Sequence, residues 1–593
     1  MPYNEDSRVK IPALIHLTRM GYEYLSLKNT TWDKDTNIFT SHFTEVFIRL
    51  NEGLTELDAE RELKELSSLL DNDDLGKSAY ERLTDTSKAR LIDLNNFTNN
   101  NLHVVTELTC ANGDDNFRPD ITLLINGMPL VFIEVKVPNN RDGILAERER
   151  MNVRFQNSKF RKFINLTQLM VFSNNMEYDD DDPEPFQGAY YASTSTHKAV
   201  FNYFREERPE ELKHVHQPII EATEDFILAD NNLQAIKHTG EFLSNKNPDS
   251  PTNRILTSLF SPDRLAFILK YAIAYVEDKE NFTYQKHVMR YPQIFASKAI
   301  TDTLENGDKG GIIWHTQGSG KTALAYCNVK YLRDYYTAKG IVPKFYFIVD
   351  RLDLLRQAGN EFKKRGLRVH AINSKEEFAQ DIKSTIAIHN DTGDDEITVV
   401  NIQRFENDPD VARNTDYAVN IQRIYFLDEV HRSYNPEGSF LSNLQESDPN
   451  AVHIGLTGTP LLSRKIKAAG AGKPAQKYDS KALFGSYIHK YYYDSSIKDG
   501  YTLRLIREEI STEYKARLRE ILDEIETLKG GGKAKVVLAH AKFVIQCWTT
   551  SLRIWTLNGF VETMTVSEGW WFVILRNKLK KWRSGLANLM VKF

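Results

Sequence analysis

Pro119-Asp120, followed after residues 121–133 by Glu134-Val135-Lys136, brings two carboxylates and one amine into a short stretch of chain. Two carboxylates can hold Mg²⁺, while a lysine orients the attacking water and stabilises the charge of a phosphate in transfer. Residues 120–137 form two short apolar runs around Asn126-Gly127, which predicts a β-hairpin. Glu134 and Lys136 are two apart, so on a strand both project from one face. A three-residue loop, Asn126-Gly127-Met128, puts Asp120 opposite Glu134; a strict two-residue turn puts it opposite Ile133, on the wrong face. The chemistry therefore predicts the longer loop. An ordinary hairpin with a polar rim is the alternative use of these residues.

A second constellation begins at His315-Thr316-Gln317-Gly318-Ser319-Gly320-Lys321-Thr322, between an apolar run at Gly311–Trp314 and a helix expected over Thr322 to about Lys339. A glycine-rich strand-to-helix turn such as Gly318-Ser319-Gly320 turns backbone N–H groups toward a polyphosphate, and the helix N-terminus adds a favourable dipole. Lys321 would neutralise the β- and γ-phosphates of ATP, and the Thr322 hydroxyl would coordinate Mg²⁺. His315 stands where the strict eight-residue pattern has glycine, so the match is to the looser GSGKT form. Ile424–His431 is an apolar strand ending in two acids. Asp428 would hold Mg²⁺ through water, Glu429 would polarise the attacking water, and His431 would sense the γ-phosphate. Leu456-Thr457-Gly458-Thr459-Pro460 closes the next strand with small hydroxyl residues suited to linking nucleotide state to DNA contacts.

These residues need elements to position them. Short apolar runs at Gly311–Trp314, Phe345–Val349, Ile397–Asn401, Ile424–Leu427 and His453–Leu456 alternate with longer amphipathic stretches. That alternation predicts a parallel, doubly wound α/β sheet with working residues at the carboxyl ends of its strands. Near the N-terminus, Leu57, Leu63, Leu66, Leu69 and Leu70 are spaced for one face of a helix over Glu56–Leu70. The acidic run Asp179–Asp182 is expected to be a solvated loop, and His214 and His216 have no third ligand nearby. Residues 464–480, containing AAGAGKPAQ, are expected to be a flexible connection, and Lys529–Lys533 a loop tip. From Trp548 onward, five of the seven tryptophans crowd into a stretch with no aspartate and no clear periodicity, which reads as a frameshifted or aberrant terminus.

At 593 residues, length alone suggests roughly four domains. No apolar run approaches the roughly 20 residues that span a bilayer, and the N-terminus lacks the features of a secretory signal. Three scattered cysteines (Cys110, Cys327, Cys547) make neither a disulfide framework nor a cysteine-rich metal cluster. A reducing cytoplasm fits. The net charge of −5 excludes a globally basic nucleic-acid coat, while leaving room for a locally basic channel.

The GSGKT, DEVH and LTGTP segments resemble the motor motifs of superfamily 2 helicases and translocases. Val349–Gln357 (VDRLDLLRQ) and Val400–Phe405 (VNIQRF) stand where that superfamily contacts one DNA strand, and Arg290-Tyr291-Pro292-Gln293 looks like its adenine-reading glutamine motif. With PD…ExK placed first, residues 1–545 resemble the R (restriction) subunit of type I restriction enzymes. The resemblance implies a PD-(D/E)xK endonuclease-like domain over 1–260 and a RecA-like helicase/ATPase domain over 261–465. Residues 466–593 would be a linker and the start of a second RecA-like domain, truncated, with the irregular tail from about 546.

It further implies ATP-dependent translocation of double-stranded DNA coupled to Mg²⁺-dependent cleavage away from the recognition site. Asp120, Glu134, Lys136 and Glu429 would be catalytic. Gln293, Gly318, Ser319, Gly320, Lys321, Thr322, Asp428, Glu429 and His431 would bind nucleotide, and Asp120, Glu134, Thr322 and Asp428 would hold metal. The cofactors are ATP and Mg²⁺. The partners are double-stranded DNA and the modification and specificity subunits, with no membrane, in a bacterial or archaeal cytoplasm. Two departures stand out. Met151 and Phe155 occupy the places of the family's Gln-x-x-x-Tyr pair, and after Lys542 no second motor domain is expected to be completed, so the isolated chain is expected to hydrolyse ATP weakly. The alternatives are another nuclease–helicase fusion of DNA repair or phage defence, and a catalytically incomplete module that binds DNA or partners.

Overall fold

Asn126 and Gly127 both adopt positive φ (+52° and +77°), the signature of a tight two-residue hairpin turn whose twist matches its strands. The computed structural model describes residues 4–502, apart from 113–114, 139–140, 177–188, 196–198, 211, 279–282, 373, 385, 402–420, 430–443, 445–447, 449, 461–463, 466–476 and 479, and beyond them residue 520. His431, the acidic run Asp179–Asp182, the end of the VNIQRF segment, the KGGGK tip and the tryptophan-rich stretch lie outside the described residues.

The turn joins Ile121–Ile125 to Met128–Val135 in antiparallel pairing. Ile125 pairs with Met128 and Leu124 with Pro129, but Leu123 pairs with Val131. Leu130 is therefore an extra residue, a β-bulge. The expected three-residue loop is absent: the turn has two residues, and the bulge supplies the odd residue one step later. From Leu123 back to Ile121, opposite Ile133, the register is the one that brings Asp120 beside Glu134. The Asn126 side chain locks the turn, accepting from Asn101 N–H (2.9 Å) and donating to Leu91 O and Asn100 Oδ1 (2.8 Å each).

This hairpin lies inside a mixed seven-stranded sheet, ordered Glu23–Tyr24, Leu102–Thr106, Ile121–Ile125, Met128–Val135, Leu169–Ser173, Ala189–Ala192 and Asn202–Phe204. Both hairpin strands are buried along their whole length, so no polar alternation marks them. Leu123, Val131 and Ile133 face the main core. Phe132 faces a second cluster with Phe117, Phe155, Phe160 and Phe163, packed largely edge to face. On the helix Glu56–Leu70, Leu66 and Leu70 are buried and Leu63 and Leu69 pack against the core, but Leu57 is exposed in the first turn.

The second sheet is wholly parallel: Arg368–Ile372, Glu396–Asn401, Val342–Val349, Ile421–Asp428, Val452–Thr457, Gly310–His315 and Tyr487–Tyr491. All five strands expected from apolar runs are present. The two outer ones, RVHAI and YIHKY, are interrupted by charge and only partly buried, which hid them from a search for apolar runs. Tyr487–Tyr491 falls within residues 466–593, where the resemblance implies a linker and the start of a second RecA-like domain. It pairs in parallel with Gly310–His315 at the margin of this sheet. Because the strands run parallel, His315, Asn401, Asp428 and Thr457 all fall at one edge of the sheet.

Gly127→Ala tests the turn. A Cβ there would stand 2.6 Å from Phe39 O on a positive-φ backbone, a strain of about 1–3 kcal/mol. Hydrogen exchange should quicken across Ile121–Val135 and stay unchanged in the parallel sheet; unaltered exchange in the hairpin would refute this account of the turn.

Candidate functional site

Asp120 sits just before the strand Ile121–Ile125, and its Oδ2 accepts the Val135 N–H across the ladder (2.9 Å). The pairing fixes the carboxylate opposite Glu134. Lys136 Nζ stands 3.7 Å from Asp120 Oδ2 and 3.9 Å from Glu134 Oε2, and donates to Val135 O at 2.7 Å. Its own N–H donates to Ser173 O (2.9 Å), tying the Glu-x-Lys segment to the neighbouring strand. The three residues singled out in the sequence thus converge.

Glu134 is 4% exposed, and its Oε1 is buried without a hydrogen-bond partner. An acceptor left bare in the interior is costly, and a divalent cation shared with Asp120 is the chemistry that would satisfy it. Two further acids surround the site. Glu5, from the N-terminal helical segment, places Oε1 3.8 Å from Lys136 Nζ. Glu147, on the helix Arg141–Phe155, is buried and paired with Arg150 (2.8 Å) and Arg154 (3.3 Å). Sequence reasoning missed both, since Glu5 has no spacing relation to the hairpin. Met151 and Phe155, in the positions of the Gln-x-x-x-Tyr pair, are fully buried in the aromatic cluster, with Met151 Sδ accepting from Arg154 Nη1 at 3.8 Å.

The second site lies at the end of the strand Gly310–His315. Gly318 and Gly320 both take positive φ (+81° and +83°), after which the helix Lys321–Thr337 begins with Lys321 and Thr322 in its first turn. Lys321 Nζ reaches the His315 and Thr316 carbonyls only at 3.4 and 3.5 Å. Thr316 Oγ1 and Ser319 Oγ are buried without hydrogen-bond partners. A half-buried ammonium with weak partners beside two unsatisfied hydroxyls fits a polyphosphate. Gln293 donates to Gly320 O (2.9 Å) and to Ser319 O (3.4 Å), so its amide holds the loop. A Cβ on Gly320 would stand 2.5 Å from that amide nitrogen.

Asp428 ends its strand, and Glu429 follows with φ +53°, a left-handed conformation uncommon outside glycine. Strain of this kind clusters at active sites, ligand clamps and switch regions. The LTGTP segment abuts the same loop. Trp314 Nε1 donates to Gly458 O (3.1 Å), and a Cβ on Gly458 would come within 3.3 Å of Gln317 N and His315 O. No helix among the described residues is long and apolar enough to cross a membrane.

Two families match the chain. The type I restriction enzyme R protein N terminus covers residues 2–179, and the SWI2/SNF2 ATPase covers residues 292–535. The type I restriction enzyme SauCOLORF180P endonuclease subunit of Staphylococcus aureus is 23% identical over 89% of this chain and 50% of its own length. A protein of Methanocaldococcus jannaschii, provisionally named the MjaIXP endonuclease subunit of a type I restriction enzyme, is 24% identical over 86% of this chain and 47% of its own. The chain spans about half the length of these relatives. A solved fragment assigned to the HsdR subunit of a type I restriction enzyme from Vibrio vulnificus is 14% identical over 75% of this chain and 68% of that one. Its TM-score of 0.25 is too low for the likeness to carry weight.

Both sites hold acids away from their ordinary titration. Burial pushes the Glu134 carboxyl well above the carboxylate range, with Asp120 and Glu147 adding to it and Lys136 opposing. Burial likewise raises Asp428 to about 6, against Lys321 and with Glu429. If Asp428 holds Mg²⁺, a proton and the metal would compete for the same oxygens, and protonation would oppose metal binding as pH falls through about 6. Mg²⁺-dependent nucleotide binding should therefore weaken as pH falls from 7 to 5, and Asp428→Asn should flatten that dependence. A pH profile identical in the two proteins would contradict this.

Proposed function

We propose that this chain, a relative of the R subunits of type I restriction enzymes, forms the cutting and ATP-driven part of such an enzyme. It would pull double-stranded DNA past itself by hydrolysing ATP and cut the duplex away from the recognition site, working with modification and specificity subunits. The observation that carries the reading is the presence in one chain of two separate sites, each with unsatisfied buried polar atoms matched to a phosphate-handling task. One has Asp120, Glu134 and Lys136 around the bare Glu134 Oε1; the other has Lys321 beside the bare Thr316 and Ser319 hydroxyls.

In the first site, Asp120 and Glu134 would hold a divalent cation, and Lys136, already within 4 Å of both, would orient a water and offset charge on the phosphate under attack. In the second, Lys321 would leave its weak carbonyl contacts for the β- and γ-phosphates, with the Gly318–Gly320 backbone around them. Thr322 and Asp428 would hold Mg²⁺, Glu429 would orient the hydrolytic water, and Gln293 would bridge the loop to the adenine. Bound Mg²⁺ supplies neutralisation of phosphate oxygens and acidification of a coordinated water. His431 is assigned to the γ-phosphate on its sequence position.

Three substitutions separate the sites. Lys321→Ala should weaken ATP binding at least tenfold in a calorimetric titration while leaving the melting profile unchanged, and equal affinities would overturn the nucleotide assignment. In the assembly with modification and specificity subunits, Asp120→Ala and Lys136→Ala should each lower DNA cleavage by on the order of 10²-fold or more. ATP turnover should stay within about twofold, because distant sites contribute independently. Cleavage that survives both changes would reduce the hairpin to a structural element.

A further inference from the structure

We infer that the N-terminal sheet positions the phosphate loop through a three-residue relay, Glu207–His489–His315, and this rests on the nucleotide-site reading above. Glu207 lies just past the strand Asn202–Phe204, the last of the N-terminal sheet, while His489 lies on the outer strand of the parallel sheet and His315 at the start of the loop. The Glu207 Oε2 to His489 Nε2 separation is 2.5 Å, and His489 Nδ1 to His315 Nε2 is 2.8 Å.

The chemistry fixes who donates. A carboxylate only accepts, so His489 Nε2 carries the hydrogen. A neutral His489 then presents Nδ1 as an acceptor, and His315 Nε2 must donate to it. That leaves His315 Nδ1 as a bare acceptor, and it is buried with no hydrogen-bond partner. The opposite tautomer would turn two lone pairs toward each other across 2.8 Å. His315 is fully buried where the strict loop pattern has a side-chain-free residue, so its ring must be held somewhere. Holding the ring also holds the carbonyl on which Lys321 rests.

A second line leaves the same stretch of the N-terminal sheet and ends three residues further along the loop. Tyr501 OH donates to Asn202 Oδ1 (3.3 Å), the Arg290 guanidinium lies 4.0 Å over the Tyr501 ring, and Arg290 Nη1 donates to Gly318 O (3.2 Å). Residues 202–207 thus reach the loop at His315 and at Gly318. Glu207 and His489 are positioning residues, through which the shape of the nuclease-candidate module is felt at the phosphates.

The test uses the full chain, a fluorescent ATP analogue with Mg²⁺, and ¹⁵N-histidine spectra that report the His315 tautomer. Glu207→Leu and His489→Leu should each weaken binding about tenfold, the scale of one charge-assisted hydrogen bond, and should mix the His315 tautomers. The double variant should be no worse than either single one, as expected for members of one chain of bonds. Glu207→Gln and His489→Gln should recover affinity to within about twofold, since an amide oxygen still accepts and, at 489, an amide nitrogen still donates. Wild-type binding matched by both leucine variants, or glutamine variants no better than leucine ones, overturns the relay alone. A wild-type chain that binds no nucleotide overturns the nucleotide reading and the relay with it.

Discussion

The register of one hairpin governs the N-terminal site. Side chains on a strand alternate between faces, so one residue more or less exchanges everything that follows. Leu130 is that extra residue, placed one step past the Asn126-Gly127 turn, and it sets Asp120 against Glu134 on the face toward the helix Arg141–Phe155. Asp120 then spends one oxygen on the Val135 N–H and keeps its carboxylate beside Lys136. The acids Glu5 and Glu147 gather round the geometry that the bulge creates.

The two sites share a physical logic. Each takes charged or hydroxyl groups out of water and leaves part of their bonding capacity unused, at Glu134 Oε1 in one and at Thr316 and Ser319 in the other. A protein interior normally satisfies such groups. Beside the Glu134 carboxylate such atoms would suit a cation, and beside the Lys321 ammonium an anion. The left-handed backbone at Glu429 belongs to the same economy of local strain held by a surrounding core.

Much of this was legible in the chain itself. The parallel sheet announced itself through apolar runs at Phe345–Val349, Ile424–Leu427 and their neighbours because strands buried on both faces carry little but apolar residues. The outer strands Arg368–Ile372 and Tyr487–Tyr491 did not, since an edge tolerates arginine, lysine and histidine. Asp120, Glu134 and Lys136 could be found by spacing, yet their route to convergence could not: a bulge has no composition of its own, and Leu130 reads like any strand residue. Glu5 was beyond reach because only the fold brings the N-terminus beside Lys136. His315 looked like a departure from a motif, and its bond to His489, on an outer strand that sequence reading had missed, could not be foreseen.

The outer strand Tyr487–Tyr491 also sets a clock. Gly310–His315 is flanked by Val452–Thr457 on one side and Tyr487–Tyr491 on the other, with Ile312 N–H bonded to Ser486 O and Thr316 N–H to Tyr491 O. As the chain leaves the ribosome at about 5–20 residues per second, residue 491 emerges roughly 10–35 s after residue 315. Until residue 457 has emerged, Gly310–His315 has neither neighbour, and the N–H and C=O groups on its outer edge stay unpaired until residue 491 follows. Long-range parallel pairings of this kind form late and invite wrong partners. A nascent chain of this protein therefore passes through an interval in which the hairpin site can already be built while the loop after Gly310–His315 cannot, so that the two candidate sites mature in the order of the chain.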